Sequence, residues 1–210
     1  MKQSDIYKLH QKYAHGKYKK ETLEICWTHS LIVKNISLQI AKKLEDNFGI
    51  KTDTKLIEIG ALLHDIGVYE CFDDDNKAVC KYVLHGIKGY DILIEEKISQ
   101  KRARFASTHI GVGINKDQIE KENLELPKID FIPISLEEEI VCYADKFHSK
   151  GRPRFNDFEE TLEEMEKINI EYGAILKRYE KKFGIPDLNE LKDKYKKWHK
   201  EINEWVESVR

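Results

Sequence analysis

Apolar residues in the first half of the chain recur every three or four positions, the spacing of one helical face. Ile25, Ile32, Ile36, Ile40 and Leu44 share such a face with His29 among them, and Gly49 supplies a plausible stop. A second helix is expected from residue 54, with Asp53 as its N-cap and Gly67 as the residue where the chain turns away. Residues 71–78, with the run Asp73-Asp74-Asp75, read as a solvated loop, and helical spacing resumes over 85–96 and 100–110. Residues 111–134 hold glycines, prolines and Asn115 and read as an irregular connection. Ser135 and Glu138 then have the form of a capping box, which opens a helix running through Asp145 to His148 and ending at Gly151-Arg152-Pro153. Residues 156–210 read as a pair of charged amphipathic helices parted by Gly184-Ile185-Pro186. All four prolines lie beyond residue 126, so nothing breaks the earlier helices. No run of alternating β-branched residues bounded by turn signals appears. The expected fold is all-α.

Composition narrows the class. The chain has 210 residues, 40% of them hydrophobic and 35% charged, enough apolar material for a core under a highly charged surface. Lys and Arg number 36 against 38 Asp and Glu, a net charge of −2, so no global basic field favours nucleic acid or anionic lipid. No apolar run approaches the roughly 20 residues of a membrane span, and the polar start lacks a secretory pattern. The default expectation is a soluble cytoplasmic protein with four reduced cysteines, Cys26 and Cys142 among them as small core fillers.

The informative residues are polar ones on apolar faces. His29 interrupts an isoleucine stripe, His64 and Asp65 follow Ala61-Leu62-Leu63 at a helix end, and Asp145 stands beside Ala144, one turn after Val141. A buried, unpaired carboxylate costs several kcal/mol, so each Asp calls for a cation or strong donors. Adjacent residues on a helix point about 100° apart. At a last turn, however, His64 and Asp65 can both lean toward an ion beyond the helix end. If the three helix faces converge, two imidazoles and two carboxylates form a metal site.

The ordered set His29, His64-Asp65 and Asp145 resembles the H…HD…D signature of the HD superfamily of metal-dependent phosphohydrolases. His64-Asp65-Ile66-Gly67 is similar to its HDIG subgroup. With 85–89 (HGIKG), 109–113 (HIGVG) and 136–140 (LEEEI), the chain looks like a small stand-alone branch of predicted hydrolases. The resemblance implies an HD-domain helical bundle over residues 1–155, with 156–210 as a helical extension packed on it. It further implies that His29, His64, Asp65 and Asp145 hold one ion, and that Asp65, His85 and His109 hold a second, Asp65 bridging. Two departures from the HD-GYP pattern, a single histidine at 109 and Val68 after Gly67, argue against cyclic-dinucleotide hydrolysis.

Such a ligand set suits Mn, Fe, Co, Ni or Zn without choosing among them. Two cations about 3.5–4 Å apart can lower the pKa of a shared water toward neutrality and drive in-line attack on phosphorus. The function implied is hydrolysis of a phosphomonoester or phosphodiester, of a nucleotide or related small molecule, with Asp65 as the catalytic bridge. Lys88, Lys146 and Lys150 are the candidates for contact with substrate phosphate. The alternative is a non-catalytic HD-fold nucleotide sensor or scaffolding protein, and the charged C-terminal helices allow a homodimer. His10, His15, His148 and His199 have no partner pattern and read as structural or surface residues. The sequence contains no His-Glu-x-x-His, Walker A or Gly-x-Ser-x-Gly motif.

Overall fold

A computed structural model of the chain describes residues 1–209. The order is α1 (Gln3–Tyr13), α2 (Lys19–Phe48), α3 (Thr54–Leu63), the 3-10 turns Ile66–Cys71 and Tyr82–Leu84, α4 (His85–Glu95), α5 (Gln100–Thr108), α6 (Lys116–Lys121) and α7 (Leu136–Asp145). A two-residue hairpin, β1 (His148–Ser149) and β2 (Arg154–Phe155), leads to α8 (Phe158–Ile168), α9 (Ile170–Phe183) and α10 (Asn189–Val209). The fold is all-α apart from that hairpin, in which His148 pairs with Phe155.

The long helix α2 is the axis of the molecule. Its stripe Ile32, Val33, Ile36, Ile40, Ala41 and Leu44 is buried against α3, α7 and α9. Burying each such aliphatic side chain contributes about 1.5–3 kcal/mol. The cluster continues through Val141, Tyr143 and Phe147 into Phe158, Leu162, Leu176 and Phe183, so the C-terminal helices share one core with α2 and α7. A second apolar cluster joins α1 to α3, α4 and α5 through Ile6, Leu62, Leu63, Leu93 and Ala106. His10 fastens α1 there: it is fully buried and bonds the Leu62 carbonyl at 2.8 Å and the Tyr69 hydroxyl at 2.9 Å. Burial lowers its pKa to about 4, which keeps the ring neutral.

Gly49 ends α2 with φ 67°, and Asp53 caps α3 by accepting from the Leu56 N–H. Elsewhere the structure corrects the expected elements. Helix α1 lies in the polar N-terminal stretch, and α6 lies inside the expected loop 111–134, opened by an Asn115–Gln118 capping box. Helix α7 stops at Asp145, so His148 stands on the hairpin and residues 151–153 belong to its turn. The expected C-terminal pair is three helices. Asn169 sits in extended backbone (φ −159°) between α8 and α9 and accepts from the Glu171 N–H, so it closes one helix while capping the next. All four cysteines are free, with Cys26, Cys71 and Cys142 buried.

Gly67 does not serve as a left-handed stop. It lies in the 3-10 turn Ile66–Cys71, and a Cβ there would come within 2.1 Å of the His85 carbonyl oxygen and 2.3 Å of the Gly89 nitrogen. Its small size lets the turn behind Asp65 touch the backbone of α4. Gly67→Ala is therefore expected to push α4 outward and to cost at least about 2 kcal/mol, read as a lowered urea midpoint with an unchanged m-value.

Candidate metal centre

Five helices deliver the site. His29 comes from mid-α2, His64 and Asp65 from the end of α3, His85 from the first residue of α4, His109 from the residue after α5, and Asp145 from the last residue of α7. All four histidines and Asp65 are buried, and the Asp145 side chain is 11% exposed. His64 and Asp65 both reach the cluster because α3 gives way there to the tighter 3-10 turn.

Asp65 divides the cluster between its two oxygens. Its Oδ2 lies 3.1 Å from His29 Nε2 and 3.2 Å from His64 Nε2, and these rings also approach Asp145 Oδ1 at 3.0 and 3.4 Å. Its Oδ1 lies 3.3 Å from His85 Nε2 and 3.4 Å from His109 Nε2. Donor atoms of two sets thus converge within ion-binding distance of one another: His29, His64, Asp65 and Asp145, and Asp65, His85 and His109.

Proton placement shows that these residues suit a cation. His85 Nδ1 is 2.5 Å from the Tyr82 carbonyl and His109 Nδ1 is 3.1 Å from that of Phe105. A carbonyl only accepts, so both Nδ1 atoms carry protons, and a neutral ring then presents a lone pair at Nε2. Those two lone pairs face each other at 3.0 Å, beside Asp65 Oδ1, a buried oxygen with no hydrogen-bond partner. Three electron-rich atoms without a proton between them fit a positive ion. His64 is oriented alike, its Nδ1 2.7 Å from the Ala61 carbonyl.

The charges agree. Burial alone would raise the pKa of Asp65, but His64 and Lys150 outweigh it and hold the carboxylate well below its usual range. Asp145 is likewise held down against burial by Lys146, His29 and His64. His109 is lowered to about 3, mainly by burial, so its ring is neutral. In the ion-free protein, burial opposes protonation of His64, yet Asp65 and Asp145 together raise it to about 9.

Of the basic candidates, Lys150 begins the hairpin turn and bonds Asp65 Oδ2 directly, its own charge sustained against burial by Asp65 and Asp145. Lys146 donates to Asp145 Oδ2 at 2.7 Å and to the His109 carbonyl at 3.2 Å. Lys88 is half-buried on α4, near Cys71, and does not line the cavity beside the cluster. That cavity, about 600 Å³, is bordered by Asp145, His148 and Lys150 and walled by Ile25, Val68, Phe72, Tyr82, Trp205 and Val206. Trp205 of α10 packs edge to face on Tyr18 and also walls the cavity.

Sequence reasoning missed the neighbours from the hairpin and α10. His148 Nδ1 lies 2.8 Å from His29 Nδ1, and its Nε2 lies 3.0 Å from His199 Nε2. A helix carried on past Asp145 hides this, since only the hairpin turns His148 inward. The Asp73–Asp75 run is a closed loop: Asp73 accepts from the N–H groups of Asp75 and Lys77, and Asp74 pairs with His15.

Comparison with known proteins places this geometry in context. An uncharacterised protein of Methanocaldococcus jannaschii is 32% identical over 158 residues, 74% of this chain and 76% of that protein. A tRNA (cytidine(56)-2'-O)-methyltransferase of Picrophilus torridus is 30% identical over 147 residues, 69% of this chain but 39% of the methyltransferase. The HD domain of the L. monocytogenes phosphodiesterase PgpH, solved with cyclic-di-AMP, aligns at 15% identity and a TM-score of 0.48, over 83% of this chain and 93% of that one. The HD domain model matches residues 26–150, a span that holds all six residues of the cluster. With more than half of its length matched in this way, the chain belongs to the HD-domain family.

Proposed function

We propose that the protein is a metal-dependent phosphohydrolase that cleaves a phosphomonoester or phosphodiester bond in a nucleotide or related small molecule. The observation that carries this reading is the pair of candidate ligand sets sharing Asp65, the first of which reaches through Asp145 the edge of a cavity that Lys150 also lines. One or two divalent transition ions, held by His29, His64, Asp65 and Asp145 and by Asp65, His85 and His109, would supply an acidified water and neutralise charge developing on phosphorus.

The chain's own groups do the rest. Asp65 and Asp145 stay ionised and so need release no proton to serve as ligands. The Nδ1–carbonyl bonds of His64, His85 and His109 hold those rings with Nε2 inward, so little reorganisation is needed. Lys150 sets a positive charge where a phosphate oxygen would approach, with Lys146 on the Asp145 side. Tyr82, Phe72 and Trp205 give the cavity aromatic walls, which suits a flat ring carried by the phosphate. A cavity of this size accommodates a mononucleotide-sized molecule.

A panel of nitrophenyl phosphate mono- and diesters and nucleotides, offered with each of Mn, Fe, Co, Ni and Zn, tests the proposal. Metal-dependent phosphate release is expected, and Lys150→Gln should lower kcat/KM about 10²-fold, equivalent to about 2.7 kcal/mol of transition-state stabilisation. Ion-loaded protein that binds nucleotides without cleaving any ester in the panel would instead support the non-catalytic sensor.

A further inference from the structure

Three of the four histidines in the cluster direct Nδ1 to a backbone carbonyl three or four residues earlier; His29 does not. Its Nδ1 meets the side chain of His148, 119 residues away, and His148 in turn meets His199 on α10. His148 is 3% exposed. Its ring meets that of His199 nearly edge to edge, with centroids 5.2 Å apart and planes inclined by 30°, and Phe155 makes a T-shaped contact with both. The contact is therefore built, with packing on each ring.

Hydrogen-bond direction turns this geometry into a role. For His29 to present a lone pair at Nε2, its proton must sit on Nδ1, which then donates to His148 Nδ1. Neutral His148 must keep its proton on Nε2, which donates to His199 Nε2, and neutral His199 keeps its own on Nδ1. One arrangement of protons satisfies both contacts and leaves His29 ready to bind an ion. The reversed arrangement puts a proton on His29 Nε2, facing the other ligands, and disables it.

We infer that His148 and His199 are positioning residues that fix the tautomer and orientation of His29. Helix α10, which lies outside the segment matching the HD domain, is thereby part of the metal centre. The inference rests on the metal-centre reading above. It assigns α10 a role that its cavity-facing residues do not require, because His199 lies behind His148 and does not line the cavity.

The test is the affinity of the full-length, ion-stripped protein for Zn(II), measured in competition with a chromophoric chelator. His148→Leu should weaken zinc binding about 10–100-fold. His148→Asn, whose amide oxygen can accept where Nδ1 did, should recover most of that loss. His199→Phe keeps a ring against His148 but removes its acceptor, and should fall between the two. Urea unfolding of each ion-free variant separates affinity from general loosening. Should His148→Leu fail to fold, the half-buried His199→Phe decides. Wild-type zinc affinity in His148→Leu or His199→Phe would overturn the inference, as would a stable His148→Asn no better than the leucine variant. Wild-type protein that takes up no zinc would overturn the metal-centre reading and this inference with it.

Discussion

Asp65→Asn is expected to abolish turnover while leaving the helical fold intact. Asp65 is the one residue common to both ligand sets, with Oδ2 toward His29 and His64 and Oδ1 toward His85 and His109. An amide is isosteric, but one of its two atoms becomes a donor, which would aim N–H bonds at lone pairs or at Lys150. Whichever way it turns, both halves of the cluster lose the shared negative charge, and one of them loses its acceptor oxygen as well. The drop in kcat/KM should reach about 10³-fold or more, equivalent to about 4 kcal/mol. Circular dichroism should show the helix content of the wild type, and metal analysis should show fewer ions per chain. Asp65→Asn that retains full metal content and more than a tenth of wild-type activity would remove Asp65 from its bridging role.

Stripping the ions should lower the melting temperature, and by an amount that grows with pH. A ligand present at about 100 times its Kd stabilises by about 2.7 kcal/mol, which for a chain of this size is roughly 5–10 °C. The pH dependence follows from His64. In the ion-free protein its pKa is raised from 6.5 to about 9 by Asp65 and Asp145, against the opposing effect of burial. A raised pKa contributes stability that is fully present below about 6.5 and lost as pH climbs through about 9. Ion binding needs that nitrogen bare, so below pH 9 each binding event releases a proton. Apparent affinity should then rise up to about tenfold per pH unit between 6.5 and 9 and level off above. His109, lowered to about 3, adds no further dependence in this range. Differential scanning calorimetry with and without chelator at pH 6.5, 7.5 and 8.5 checks this, and a gap that narrows with pH would contradict it.

The residues of the cluster were legible because their chemistry is conspicuous against apolar surroundings. His29 in an isoleucine stripe and His64-Asp65 after Ala61-Leu62-Leu63 need no knowledge of the fold to look costly. The helices carrying them were legible for the same reason, since α2, α3, α4, α5 and α7 each bury an apolar face. Legibility failed where a local signal had two meanings. Gly67 reads equally as a left-handed stop and as a point of close approach, and only the backbone of α4, which a Cβ at residue 67 would approach to 2.1 Å, decides between them. Asn169 sits in a stretch with no proline or glycine beside it, so the break between α8 and α9 shows only in the structure, through its extended backbone and the Asn169–Glu171 capping bond. His148 could not be assigned because its partners, His29 and His199, lie 119 and 51 residues away. Such pairings are set by how the helices pack and leave no trace in local spacing.

The six residues of the cluster are scattered from position 29 to position 145, each on a different helix or at its end except the adjacent 64–65 pair. The neighbouring helices α2 and α3 bring His29, His64 and Asp65, but Asp145, His85 and His109 come from segments further along the chain, and loop-closure entropy delays their arrival until the chain is largely collapsed. The completed centre is therefore expected to form late in folding rather than to serve as its template. An ion secured there would act on the escape side of the barrier, as a clasp fastened after the garment is on: it would lengthen the lifetime of the native state while leaving the speed of reaching it nearly unchanged.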